Sequence, residues 1–231
     1  MKKFYKSVST GDDPNGTTVL LDGRPVRSPG KALLVLPTEA LAEAVAAEWE
    51  AQGEEIVPDS MPMMSLAATT LDRVLPQRNY LVEEIAKFGG SDLLCYPADE
   101  PPELVMQQQE SWGPHLDWFK SALEIDLQVT VGVMPVRQPE ESLQRIREEV
   151  DRVPDWELSS LHTLTSVYGS LILALSVQKD RLDAMEAFDL SQLDETYQAE
   201  RWGHDREAEI RSRRLRSDTE QAAKFLALTR S

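Results

Sequence analysis

ALLVLPTEALAEAVAAEW, residues 32–49, changes its period halfway along. Its first six residues, ALLVLP, form a short apolar run closed by Pro37, which reads as a strand. From Thr38 the spacing lengthens. Leu41, Val45 and Trp49 recur every four residues, as on one face of a helix. Thr38 is suited to cap that helix, and Gly53 to end it as a left-handed cap. The chain therefore begins in strands and passes to helices at this point.

Upstream, KKFYKSVST (2–10) alternates partially and is rich in β-formers. TTVLLDGRPVRSP (17–29) holds two short runs around Asp22-Gly23, a two-residue hairpin signal. Downstream, EEIVPDSMPMMS (54–65) is a Pro- and Met-rich connection. Its methionines, Met61, Met63 and Met64, suit internal packing better than an adaptable binding surface. SLAATTLDRVL and NYLVEEIAKFGG then predict short amphipathic helices. PELVMQQQESW predicts another, and PHLDWFKSALE a restart at Pro114. LQVTVGV (127–133) reads as a β-like interruption closed by Gly132 and Pro135. Pro139 opens a further helix, and a buried helix follows over about 157–178. The reading is α+β: a small β-rich N-terminal domain with one helix and connecting helices (1–90), then a larger mainly α-helical C-terminal domain (91–231).

The net charge of −16 disfavours nucleic acid and anionic membranes as partners. A single cysteine, Cys95, allows no internal disulfide, and after Leu93-Leu94 it reads as a buried, inert thiol. The apolar run LILALSV (171–177) is too short to span a bilayer, and the start lacks a secretion signal. No phosphate loop, GxGxxG, HExxH or GxSxG occurs. His115, His162 and His204 lie far apart, and His162, on the most apolar helix, reads as a core histidine. Adjacent carboxylates such as Glu54-Glu55 point about 100° apart on a helix and do not share a site.

LDETYQAERWGHDREAEIR (193–211) is the exception, a charged stretch with Trp202-Gly203 in its middle. A helix running from Asp189 carries Leu193 and Tyr197 on one stripe and ends at Trp202, with Gly203 free to take a positive φ. A second helix restarts at His204 or Asp205, with Ile210, Leu215, Ala222, Phe225 and Leu226 turned inward. The indole of Trp202 then plugs the corner between the two. Asp194 with Asp205 is the carboxylate pair that a hydrolase would need.

Several motifs together resemble one family: LDGRPVRSP (21–29), LLVLPTEALAEAVAAEW (33–49), IVPDSMPMMSLAATTLDRV (56–74), SDLLCYPA (91–98), WGPHLDWF (112–119), YGSLILAL (168–175) and LDETYQAERWGHDREAE (193–209). In this order they resemble the ATP-synthase F1 assembly chaperones that bind the α subunit, found in mitochondria and α-proteobacteria. The resemblance implies a protein without enzymatic activity, metal or cofactor. It would hold the free F1 α subunit against aggregation until the β subunit displaces it. It also implies a functionally critical acidic residue in a Leu-Asp/Glu-Glu-x-aromatic-Gln motif. Asp194 and Glu195 match that motif, with Tyr197 and Gln198 beside them and Trp202 following. These five are the expected partner-binding residues. Pro97 stands where the family commonly has Arg, and His204 and Arg206 stand among its acidic positions. A chain monomeric on its own is expected, in a bacterial cytoplasm, or in the mitochondrial matrix for a processed eukaryotic form. An adaptor for some other partner is the alternative reading.

Overall fold

The switch at Pro37-Thr38 is visible in a computed structural model of the chain, which describes residues 1–131, 135–203 and 205–231. The strands are β1 (Val8–Asp13), β2 (Gly16–Leu21), β3 (Arg24–Pro25) and β4 (Val35–Leu36). β2 is central and antiparallel to all three others, with Val8 opposite Leu21, Leu21 opposite Arg24 and Thr18 opposite Val35. The β2–β3 turn is the expected Asp22-Gly23. Both residues have positive φ, 48° and 74°, which matches the twist of a two-residue hairpin. The Asp22 carboxylate also accepts the backbone N–H groups of Lys6 and Ser7.

Helix α1 (Glu39–Glu50) starts as read, since the Thr38 hydroxyl accepts the Leu41 N–H at 3.2 Å. Leu41, Val45 and Trp49 are buried. Gly53 does not close it. Ala51 does so in ordinary helical geometry, and the Gln52 side chain donates to the Glu48 carbonyl while accepting the Val57 N–H. That amide meets the terminal backbone groups, so no left-handed residue is required.

α2 (Pro62–Thr69) has no capping side chain of its own. Glu48 supplies one from α1, its two oxygens accepting the N–H groups of Met63 and Met64 at 2.8 Å each. Met61 and Met63 are core, packed with Val19, Leu36, Val45 and Phe225. A wide turn follows (Thr70–Val74), and its Asp72 accepts from Ser28 and Gly30 in the β3–β4 connection. These elements form one compact unit, Met1–Arg78 with Pro154–Ser160 and Gln221–Ser231.

The second unit comprises Asn79–Val153 and Leu161–Glu220. Its helices begin with α3 (Arg78–Ala86), α4 (Pro102–Leu123) and α5 (Glu140–Asp151). The expected break at Pro114 is absent, and α4 is one 22-residue helix with Pro114 inside it. Gly113, lacking a Cβ, does not collide with the proline ring, so the helix tolerates one missing donor. Among the described residues LQVTVGV forms no strand. The Gln138 side chain takes the place of a strand partner, bonding both the N–H and the carbonyl of Gln128. Gly132 lies outside the described residues.

The expected helix over 157–178 is two, α6 (Asp155–Tyr168) and α7 (Leu171–Gln178), broken at Gly169 with φ 62°. α7 is buried along Leu171–Val177. No helix among the described residues is long and apolar enough to cross a membrane. Cys95 is buried, and burial pushes its thiol up to about 12.

The break between α6 and α7 is held by Asp92, which is fully buried. Its carboxylate accepts from the Ser170 hydroxyl (2.8 Å), the Ile172 N–H (3.1 Å) and the Leu94 N–H (3.1 Å). Burial outweighs these bonds and raises its pKa from 3.8 to about 6. Folded Asp92 therefore binds its proton more tightly than unfolded Asp92. Its contribution to stability is full below pH ~4 and is lost as pH rises through about 6. A two-unit shift amounts to about 3 kcal/mol. In urea titrations, the wild type is expected to lose roughly 2 kcal/mol of stability relative to Asp92→Asn between pH 4 and 6.5. Parallel pH profiles for the two proteins would show that the group titrates alike in both states.

Candidate functional site

α8 (Ala184–Ser191) is capped by Asp183, whose carboxylate accepts the Met185 and Glu186 N–H groups. Gln192 separates it from α9 (Leu193–Trp202), so the helix expected to run on from Asp189 is two. α9 has two faces. Leu193 and Tyr197 are buried, and Asp194 beside them is half-buried. Glu195, Gln198 and Trp202 are exposed. They are three and four residues apart and share one outer stripe.

The inner face is tied to α4. The buried Gln108 amide donates to the Asp194 carboxylate and accepts the Ala98 N–H at 2.7 Å. Burial raises the Asp194 pKa, and the Gln108 bond offsets this in part. Further along α9, the Arg201 guanidinium lies over the Tyr197 ring at 4.7 Å and 3.6 Å from the Glu103 carboxylate. The Tyr197 hydroxyl is buried with no hydrogen-bond partner among the described residues. The expected residues thus divide. Asp194 and Tyr197 fix the helix, while Glu195, Gln198 and Trp202 face outward.

Trp202 is not a plug, being 76% exposed. It follows the buried Leu193 by nine residues, which is about 180° around the helix. The periodicity that buries Leu193 sends Trp202 to solvent. The end of α9 is made by backbone, with the Gly203 N–H bonding the Ala199 carbonyl at a φ of 91°. His204 lies outside the described residues.

α10 (Arg206–Leu228) begins on Asp205, whose carboxylate accepts the Ala208 N–H at 3.3 Å. Ala222, Phe225 and Leu226 turn inward as expected, but Ile210 is 54% exposed. It precedes the buried Thr219 by nine residues, again about half a turn away.

An open groove of about 610 Å³ runs between α9 and α10. One wall carries Glu195, Thr196, Ala199 and Glu200, and the other Asp205, Ala208 and Glu209. Arg211 and Arg213 also border it, and Arg213 is tied to Glu209 through a backbone bond at 3.3 Å and a carboxylate contact at 3.9 Å. Glu195 and Glu200 form no ion pair among the described residues. Asp194 and Asp205 are not drawn together, since Asp205 lines the groove and Asp194 is held by Gln108. Among the described residues no group of three or more His, Cys, Asp or Glu is placed to hold a metal ion.

Gln108, Glu103 and Glu200 were absent from the expected site. Gln108 had a signal, because it lies four residues from both Leu104 and Trp112, on the buried stripe of α4. Glu103 and Glu200 had none, since Glu103 is placed by its contact with Arg201 and Glu200 by the approach of α10 to α9. Urea denaturation separates the two faces of α9. Trp202→Ala is expected to change stability by less than about 0.5 kcal/mol. Gln108→Leu is expected to cost roughly 1–3 kcal/mol, since it strands Asp194 and the Ala98 N–H.

The sequence model of the family described as "ATP12 chaperone protein" matches residues 2–120. The chain is 26% identical over 214 residues to the mitochondrial protein atp12 of Schizosaccharomyces pombe, covering 87% of this chain and 74% of that protein. Its fold matches the crystal structure of Atp12 from Paracoccus denitrificans with a TM-score of 0.95 and 42% identity, over 99% of this chain and 98% of the other. The Atu1473 protein of Agrobacterium tumefaciens matches at TM-score 0.91 and 39% identity, over 98% and 85% of the two chains. Backed by a family match over more than half its length, this chain belongs to the ATP12 chaperone family, the F1 assembly chaperones whose motifs its sequence carries.

Proposed function

We propose that this chain binds the unassembled F1 α subunit through the outer face of α9 and shields it until the β subunit takes its place. The observation that carries the reading is the division of α9. Its inner residues lock onto α4, leaving Glu195, Gln198 and Trp202 exposed on a helix already held in place. Such preorganisation lowers the ordering cost of association. Trp, with Tyr and Arg, is enriched among the energetic anchors of protein interfaces. An apolar interface awaiting its final partner aggregates unless covered. An acidic surface beside the anchor contributes orientation and encounter rate more than raw affinity. That suits a complex that must later give way.

On this reading the chain performs no covalent chemistry, acts as a monomer and requires no cofactor. It would work in the bacterial cytoplasm or, in a processed eukaryotic form, in the mitochondrial matrix. Gel filtration of the chain mixed with isolated F1 α subunit tests it. A one-to-one complex is expected, with the α subunit kept from aggregating, and added β subunit should dissolve the complex. Glu195→Lys is expected to weaken binding about tenfold, or about 1.4 kcal/mol. Trp202→Ala should weaken it about thirtyfold, matching a 2 kcal/mol anchor. Neither should alter thermal stability. Full binding by both variants would move the interface off α9, and no binding by the wild type would favour an adaptor for another polypeptide.

A further inference from the structure

We infer that Arg201 is a positioning residue. Its guanidinium, held between the Tyr197 ring and the Glu103 carboxylate, fixes the last turn of α9 and so the direction of Trp202. The inference rests on the partner-binding reading above and deepens it, adding a residue that acts through the anchor.

Side-chain burial stops short of that turn. The buried residues of α9 are Leu193 and Tyr197, and none follows between Gln198 and Trp202. A helix end without buried contacts opens at little cost. Arg201 supplies what burial does not. It lies four residues after Tyr197, the spacing at which helical side chains meet, and its guanidinium sits 4.7 Å from the ring centroid. The same group reaches α4, 3.6 Å from the Glu103 carboxylate. A cation in the last turn also faces the open carbonyls of the helix end. Each of these contacts is weak at an exposed site, so together they govern the turn and not the stability of the fold. Trp202 follows Arg201 by about 100° around the helix. With the Arg201 side chain drawn toward α4, the indole is set on the outer stripe with Glu195 and Gln198. An untethered turn would leave that indole to be ordered on association, at a cost to affinity.

The test compares Arg201→Gln, Arg201→Lys and Glu103→Gln in the full chain. Both positions are exposed, so denaturation midpoints should match the wild type. With 5-fluorotryptophan incorporated, the Trp202 signal is assigned by Trp202→Phe. That signal, alone among the tryptophans, is expected to narrow and shift in Arg201→Gln and Glu103→Gln. Hydrogen exchange at the Trp202 and Gly203 amides should quicken about tenfold in both. Arg201→Lys keeps the cation and should fall between these variants and the wild type. Isolated F1 α subunit is expected to bind Arg201→Gln and Glu103→Gln about fivefold more weakly. In a Trp202→Ala background, adding Arg201→Gln should cost nothing more, since a positioning residue acts only through the indole. An unchanged Trp202 signal with unchanged exchange in both variants overturns the positioning role. A further loss of binding in the Trp202→Ala background overturns it too, making Arg201 a contact in its own right. A wild type that fails to bind the α subunit removes the preceding reading, while the fluorine and exchange results still decide what holds Trp202.

Discussion

The Gln108 amide is the contact on which the presentation of α9 depends. It is fully buried, so each polar atom must be met from within the protein. Its oxygen takes the Ala98 N–H and its nitrogen donates to Asp194. Asp194 directly precedes Glu195, so fixing one sets the direction of the other. Successive helical residues diverge by about 100°, which points one carboxylate inward and the next outward. Adjacent acidic residues in the motif thus perform different work, one holding the helix and one facing solvent.

The same device recurs elsewhere in the chain. Glu48 caps α2 from α1, Asp72 clasps the loop at Ser28 and Gly30, and Asp92 caps the start of α7. Each carboxylate satisfies backbone N–H groups that helix ends and loops leave open. Part of the acidic excess is therefore structural. The remainder is solvated and repels other anions, which accords with a protein partner rather than nucleic acid.

Local features were legible where one residue decides the outcome. Thr38 capped its helix, Asp22-Gly23 formed its turn, and Met61 and Met63 went to the core. Readings failed where a local signal met a neighbour or a distant partner that changed its outcome. Pro114 resembled a helix start, yet α4 runs through it. LQVTVGV had the composition of a strand, but its Gln128 backbone bonds the Gln138 side chain and its Thr130 N–H the Cys95 carbonyl instead. The apolar run around 168–175 hid a break at Gly169, since the Asp92 that stabilises it lies some eighty residues away.

Trp202 and Ile210 failed for another reason. Their exposure follows from helical phase, which the spacing to Leu193 and Thr219 already contained, but an apolar side chain in a charged stretch invites burial as the first reading. By itself the sequence determined the α+β order, the turn and cap chemistry, and the motifs that place the chain in its family, because these depend on residue type and short spacing. Only the tertiary structure decided which acidic residue of the motif faces inward, that α4 supports α9, and that α9 and α10 border a groove lined by Glu195, Glu200 and Arg211. Those outcomes depend on long-range hydrogen bonds and burial, which no short window of sequence contains.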